Sequence, residues 1–259
     1  MRPLESCDRC SGVRLLPEGV GTERLEEEIR ELFPEARVAR MDRDTTSRKG
    51  AHHRLIEQMS AREIDVLIGT QMIAKGHDFP AVTLVGVLNA DTALNLPDFR
   101  SAERVFSLLS QVAGRAGRGD RPGRVMIQTY AVDNYALDFV ARHDYQGFAA
   151  LELSQRQVLA YPPFGYLVNL VLSGNDETGV NRAAEQFSVN LTSGTIEVEA
   201  LGPAPCLLPR WRNKHRVQIL LKAKEREPLR RQIEQLQRLR TQLPAGVVLT
   251  VDVDPVDMF

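Results

Sequence analysis

Leu108–Gly119 reads LLSQVAGRAGRG, and upstream of it Gly69–Pro80 reads GTQMIAKGHDFP. The first stretch closes a helical pattern that begins near Asp98. Ala102, Val105, Phe106, Leu109, Val112 and Ala113 fall on one face, and Asp98 stands where a cap belongs. The second stretch leaves a short apolar run, IDVLIG at 64–69. Similar runs occur at 38–41 (VARM), 82–88 (VTLVGVL) and 124–130 (RVMIQTY). Helical patterns separate them, including one at 51–60 and one after Thr22, where Leu25, Ile29 and Leu32 recur at helical spacing until Pro34. Near-continuous apolar strands alternating with helices predict an α/β fold with a parallel sheet covered on both faces. Such sheets bind ligands at the carboxyl ends of their strands. The polar loops leave from those ends: DRDTT after 41, TQMIAKGHDFP after 69 and NAD after 88.

Composition narrows the function classes. The chain has 259 residues, with 33 Lys plus Arg against 34 Asp plus Glu, so net charge selects no partner. Its apolar runs are far shorter than the ~20 residues of a membrane span, and the N-terminus MRPLESCDRCSG lacks an apolar signal segment. Three cysteines do not make a disulfide scaffold. Two of them, Cys7 and Cys10, have the C-x-x-C spacing of metal or redox chemistry in a reducing compartment. A structural zinc needs four ligands, and this is one pair. Cys206 stands alone and reads as a small hydrophobe.

A helical connection at 134–159 ends at Tyr161-Pro162-Pro163, a stiff break suited to a domain boundary. Beyond it the pattern predicts strand 165–173, helix 176–193, strand 196–201, strand 215–222, helix 226–242 and strand 247–253. That βαββαβ order is the split, ferredoxin-like arrangement of a smaller α+β domain. The Pro-rich LGPAPCLLPRWRNKH is expected as the loop between its central strands. From Arg210 to Arg240 basic residues far outnumber the acids Glu225, Glu227 and Glu234. Trp211, the single tryptophan, sits among Arg210, Arg212 and Lys214. An aromatic among cations suits single-stranded nucleic acid; a solvated helix face beside a buried tryptophan is the plainer reading.

The arginines of the GRAGR stretch carry the chemistry. Arg115 and Arg118 lie three residues apart, and guanidinium groups match phosphate oxygens and stabilise charge in phosphoryl transfer. A surface glycine-arginine loop is the alternative. No Gly-x4-Gly-Lys-Ser/Thr occurs, and no strand of the first half ends in an Asp-Glu box. Asp176-Glu177 lies in the second half, where a capping role is expected. Without a phosphate-cradling loop and a Mg²⁺ carboxylate, this chain alone is not expected to hydrolyse ATP.

Taken together, GVGTERLEEEIRELFP, RMDRDTTSRKG, IGTQMIAKGHDFP, LLSQVAGRAGRG and VDVDP resemble the superfamily 2 helicases, and among them the bacterial primosomal replication-restart helicases. The resemblance implies that 1–12 is the remnant of a zinc-binding insert and 13–133 a RecA-like second helicase lobe. It further implies a helical connector at 134–160 and a C-terminal DNA- and partner-binding domain at 161–259. The chain then reads as the C-terminal portion of a longer cytoplasmic, nucleoid-associated protein, a 3′–5′ DNA helicase that binds stalled forks and restarts replication through primosome assembly. ATP and Mg²⁺ would be shared with a first lobe, and zinc would bind the intact protein through Cys7 and Cys10 with partners from elsewhere. Arg118 becomes the arginine finger, Arg115 a second γ-phosphate contact and Gln111 their neighbour. Gly76, Asp78 and Gly114 fall at the nucleotide. Thr22, Thr70 and Gln71 fall at DNA phosphates, although Thr22 reads equally as an ordinary N-cap. Branched and single-stranded DNA, the acidic tail of single-stranded DNA-binding protein and other primosome proteins are the implied partners. Trp211, Arg212 and Lys214 are assigned to DNA, and Arg226 and Arg230 to the tail. A stand-alone, non-catalytic DNA-binding module is the main alternative, and a RecG-like branch-migration motor is a third.

Overall fold

The computed structural model describes residues 21–42, 44–46, 50–74, 79, 81–114, 116–117, 122–192 and 197–258. The chain divides into two compact units, Met1–Asp91 with Ser107–Val132, and Thr92–Phe106 with Asp133–Phe259.

In the first unit, α1 (Thr22–Leu32), β1 (Val38–Met41), α2 (Ala51–Ser60), β2 (Val66–Gly69), α3 (Gln71–Ala74) and β3 (Leu84–Val87) follow one another. Then come α4 (Asp91–Leu94), α5 (Ser101–Ala113) and β4 (Arg124–Ile127), with α4 and α5 each divided between the units. β1 pairs with β2 and β3 with β4, both in parallel, as an α/β fold requires. Among the described residues these are two pairs rather than one sheet. The expected cover on both faces is not met at the second pair, where Leu84 and Met126 stand exposed. Four-residue strands bury little, so the apolar pattern that reads as a buried strand is only half used. On α1 the ion pairs Arg24–Glu28 and Arg30–Glu26 run at i,i+4, and Glu26 also meets Arg40 on β1.

The second unit contains the larger core. The helical connection expected at 134–159 is built of two helices, α6 (Tyr135–Ala141) and α7 (Tyr145–Val158). Each has its own cap: Ala136 N–H donates to Asn134 Oδ1 at 2.9 Å, and Gly147 N–H to Asp144 Oδ1 at 2.8 Å. His143 between them takes a positive φ of 54°, which a continuous helix excludes. Then follow β5 (Tyr166–Gly174), α8 (Glu177–Thr192), β6 (Glu199–Trp211), β7 (Lys214–Ala223), α9 (Arg226–Leu239) and β8 (Val248–Val253). The four strands form an antiparallel sheet in the order β6-β7-β5-β8. Asp176 caps α8 by accepting the N–H groups of Thr178 and Gly179, the role expected of it.

One face of this sheet packs on α8 and α9. Val168, Leu170, Leu172, Val217, Ile219 and Leu221 meet Val180, Ala184, Phe187 and Leu236 there. The Pro-rich stretch is not a loop. It is the body of β6, which pairs with β7 on one side only, so Pro203, Pro205 and Pro209 sit at an edge where a missing N–H is tolerated. Register shifts between Leu201 and Ala204 and between Pro205 and Arg210 absorb the misfit. Cys206 is buried on this strand, and burial pushes its thiol up.

Leu170 is fully buried at the centre of the sheet. Leu170→Ala should therefore destabilise the second unit by about 3 kcal/mol, read as a lower urea midpoint by circular dichroism. A change below about 1 kcal/mol would remove this strand from the core.

Candidate functional site

Strand ends decide which polar residues meet. Met41 and Gly69 are register partners at the carboxyl ends of β1 and β2. The residues that follow them, Asp42 and Thr70, therefore leave from the same edge. A side chain at Gly69 would meet the Met41 carbonyl oxygen at 2.3 Å, so only glycine fits that end of the strand. Asp42 is buried, and the backbone N–H groups of Asp44 and Thr45 donate to its Oδ1 at 3.1 and 2.9 Å. Thr22 donates its hydroxyl to Asp42 Oδ2 at 2.8 Å, and Arg40 Nη1 lies 3.3 Å from the same oxygen. The Thr45 backbone donor, aided by Thr22 and Arg40, outweighs burial and holds the Asp42 carboxyl at about 2.

In this cluster Thr22 meets Asp42 from 20 residues away in sequence. Thr22 opens α1, but Gly21 is the N-cap residue and the Thr22 hydroxyl goes to Asp42. Thr70 and Gln71 follow β2 directly and are exposed. Asp42 itself was missed as a site residue; its signal is the DRDTT loop leaving β1, an Asx-turn sequence at a strand end.

A second carboxylate closes the other strand pair. Asp91, after β3, accepts from Thr129 Oγ1 at 2.9 Å and from the N–H groups of Tyr130 and Ala131 at 3.0 and 3.2 Å. Burial works upward on this group, but the donors from Tyr130, Thr129 and Ala131 prevail and keep it ionised. The NAD sequence after the apolar run was its signal.

α5 delivers the glycine-arginine stretch. Asp98 caps it, accepting the Arg100 N–H at 2.8 Å, and Val105, Phe106 and Leu109 form its buried face. Gln111 is exposed on the last turn, its amide 3.4 Å from Ser107 Oγ, and Gly114 donates its N–H to the Ser110 carbonyl. Gly117 has φ +76°, and a side chain there would meet the Gly123 nitrogen at 2.6 Å. Its N–H donates to the Val82 carbonyl at 3.2 Å. This glycine thus serves loop closure against the strand entering β3. Arg115, Arg118, Gly76, Asp78, Cys7 and Cys10 lie outside the described residues. Among the described residues no group of three or more His, Cys, Asp or Glu is arranged to hold a metal ion.

In the second unit, Trp211 and Lys214 are cross-strand partners at the tip of the β6–β7 hairpin. The turn residues Arg212 and Asn213 have φ of 49° and 65°, the two left-handed positions of a type I′ turn. Trp211 is 52% exposed, with the Arg212 guanidinium 6.0 Å from its ring centre and Arg210 bonded to Asn213. The aromatic is therefore neither buried nor in an open loop. Arg226 lies over the Tyr166 ring and 3.5 Å from Asp254, while Arg230 pairs with both Glu227 and Glu234. A peptide carboxylate at Arg230 would have to compete with those glutamates.

Residues 19–120 match the family model for the helicase conserved C-terminal domain. Residues 157–256 match the primosomal protein N C-terminal domain. Along nearly its whole length the chain is similar to replication restart protein PriA of several bacteria. It is 41% identical over 256 residues to that of Bacillus subtilis, covering 98% of this chain and 32% of the relative. The figures are 43% over 255 residues, 97% and 30% for Synechocystis, and 39% over 256 residues, 97% and 35% for Haemophilus influenzae. The chain belongs to the PriA family of replication restart proteins and corresponds to a C-terminal portion of its members. It spans about a third of the length of these relatives.

Because Asp42 titrates lower in the folded than in the unfolded chain, its contribution to stability is complete above about pH 4 and is lost as pH falls toward 2. Thr22→Val removes a donor to a charged acceptor and should cost about 1.5 kcal/mol. The same substitution should raise the Asp42 midpoint in a carboxyl ¹³C titration; an unmoved midpoint would discard the Thr22–Asp42 link.

Proposed function

We propose that this chain is the second motor lobe and the DNA- and partner-binding domain of an ATP-dependent 3′–5′ DNA helicase that binds stalled forks and restarts replication by primosome assembly. The first unit is then a RecA-like lobe, and the βαββαβ unit with strand order β6-β7-β5-β8 a ferredoxin-like domain. The observation that carries the reading is the hairpin tip. It holds a half-exposed Trp211 among Arg210, Arg212 and Lys214, in the same chain as a helicase lobe. Such a tip suits an unpaired base stacked on the ring and phosphates on the cations.

When bound, ATP would supply the bond whose cleavage drives the motor, and Mg²⁺ would neutralise charge on its phosphates. An exposed amide at the end of a helix, as in Gln111, fits a hydrogen bond to a phosphate oxygen. Arg115 and Arg118 place charge on the γ-phosphate, Gly76 and Gly114 admit the nucleotide to the backbone, and Asp78 accepts from ribose hydroxyls. Thr70 and Gln71, at the carboxyl end of β2, hold a DNA phosphate, and the N–H groups at Thr22 offer a site to another. The chain alone lacks the phosphate-cradling lobe and should not turn over ATP. Zinc in the intact protein would use Cys7 and Cys10. Arg226 and Arg230 would receive the acidic tail of single-stranded DNA-binding protein, and other primosome proteins would follow. Among the described residues no helix is long and apolar enough to cross a membrane, and a cytoplasmic, nucleoid-associated setting fits the role.

In the intact protein, Arg118→Ala should lower DNA-stimulated ATP hydrolysis by about 10³-fold while fork affinity stays within about twofold. Loss of both would make that arginine structural. Trp211→Ala should weaken single-stranded DNA binding by about tenfold in fluorescence anisotropy, the size of one lost stacking contact. Unchanged affinity would take the tip out of the interface.

A further inference from the structure

The two edges of the four-stranded sheet are built differently. β6 closes one edge with Pro203, Pro205, Pro209 and register shifts, features that stop a further strand from pairing. β8 closes the other edge as VLTVDV, without proline, and pairs with β5 in unbroken register from Val248 to Val253. The Asp254 N–H donates to the Leu167 carbonyl at 3.0 Å, which fixes the alternation of this antiparallel ladder. Val248, Thr250 and Asp252 therefore turn their N–H and C=O groups toward β5, and Leu249, Val251 and Val253 turn theirs away from it. The helix layer also stops short of this edge. On the helix side of β8, Leu249 is buried, but Val251 and Val253 are 37% and 54% exposed. Their partners on β5, Leu170 and Val168, are buried. Ile233, Leu236, Arg240 and Val251 line an open cleft of about 430 Å³ there.

We propose that the free edge of β8 docks an extended segment of a partner protein, one in which apolar residues alternate with lysine or arginine. The segment adds a fifth strand and exchanges backbone hydrogen bonds with Leu249, Val251 and Val253. Its apolar side chains cover Val251 and Val253 beside the cleft. Its basic side chains fall on the other face, next to Asp252, which is exposed and has no ion-pair partner among the described residues. Charge selects this occupant over a second copy of the chain. β8 and Asp254 after it hold no basic residue, so pairing two such strands puts Asp252 and Asp254 of both copies along one seam. The two faces also sort charge. Arg240 lines the helix side and Asp252 stands on the other, so a strand whose cations meet Asp252 keeps them away from Arg240. The site lies within the second unit, and it stands whether or not the motor reading does.

The probe is a labelled peptide of about seven residues, alternating valine and lysine, added to the 259-residue chain. In the free chain the amides of Val251 and Val253 should exchange at least about tenfold faster than those of Thr250 and Asp252. Slow exchange at both would mean that the edge is already covered, and would overturn the proposal. With the peptide, exchange at Val251 and Val253 should slow by at least about tenfold while the hairpin amides of Trp211 and Lys214 stay unchanged. No slowing, or equal slowing at the hairpin, would count against the site. Val251→Pro removes an outward donor and keeps the bonds to β5, and should weaken peptide binding in fluorescence anisotropy by at least about tenfold. Asp252→Lys alters only an exposed side chain and decides the matter if the proline variant does not fold. It should reverse the preference, so that a valine–glutamate peptide binds at least about tenfold tighter than the valine–lysine one. Equal affinity of the unaltered chain for the two peptides would remove the choice of partner and the proposal with it. A mass that doubles with concentration in sedimentation, and no longer does so in Val251→Pro, would give the edge to a second copy instead.

Discussion

Strand β5 is hydrogen-bonded along both sides, to β7 from Tyr166 to Gly174 and to β8 from Val168 to Ser173. That double pairing leaves its side chains only two directions. Val168, Leu170 and Leu172 go toward α8 and α9, and Leu167 goes toward Met258, Phe99 and Tyr161. The helices, the hairpin and the segment beyond β8 are all placed by this one strand. Its pairing partners are distant in sequence, so the unit forms only when long-range contacts close.

Polar residues are organised by the same economy of strand ends. In the first unit Asp42 and Asp91 each gather several donors just beyond a β-strand. Their ionised oxygens tie together loops that the sheet pairing alone leaves loose. Asp42 does so at the strand end in register with that from which Thr70 and Gln71 leave. The second unit reaches a comparable result with the buried Glu152–Arg156 pair. Arg156 also meets Glu103, and Tyr135 donates to Glu152 at 2.7 Å.

Much of this could be read from the sequence. The helix that ends at Ala113, its Asp98 cap and the βαββαβ order follow from periodicity and capping, which are local properties. What escaped was set by context. A proline-rich stretch reads as a loop unless it is known to lie at a sheet edge, and edges are defined by strand order. The break at 142–144 turned on the Asp144 cap, inside a stretch read only as a helical connection. Asp91 looked like an ordinary polar loop residue because its partners come from the segment after β4, and the Thr22 hydroxyl reaches Asp42 from α1. The same is true of Asp98, whose cap role was evident but whose link to Met258 spans 160 residues.

The turn at Arg212 and Asn213 bears on what any ligand of the hairpin would encounter. A left-handed non-glycine residue such as Arg212 is held there because the right-handed twist of the flanking strands demands it. Trp211 and Lys214 are consequently cross-strand neighbours before anything binds. A flexible loop bearing the same residues would have to give up conformational entropy on docking, at about 1 kcal/mol or more for each residue ordered. Here that ordering is completed during folding, so any partner would meet the tip as a preorganised surface whose affinity reflects contacts rather than the cost of arranging them.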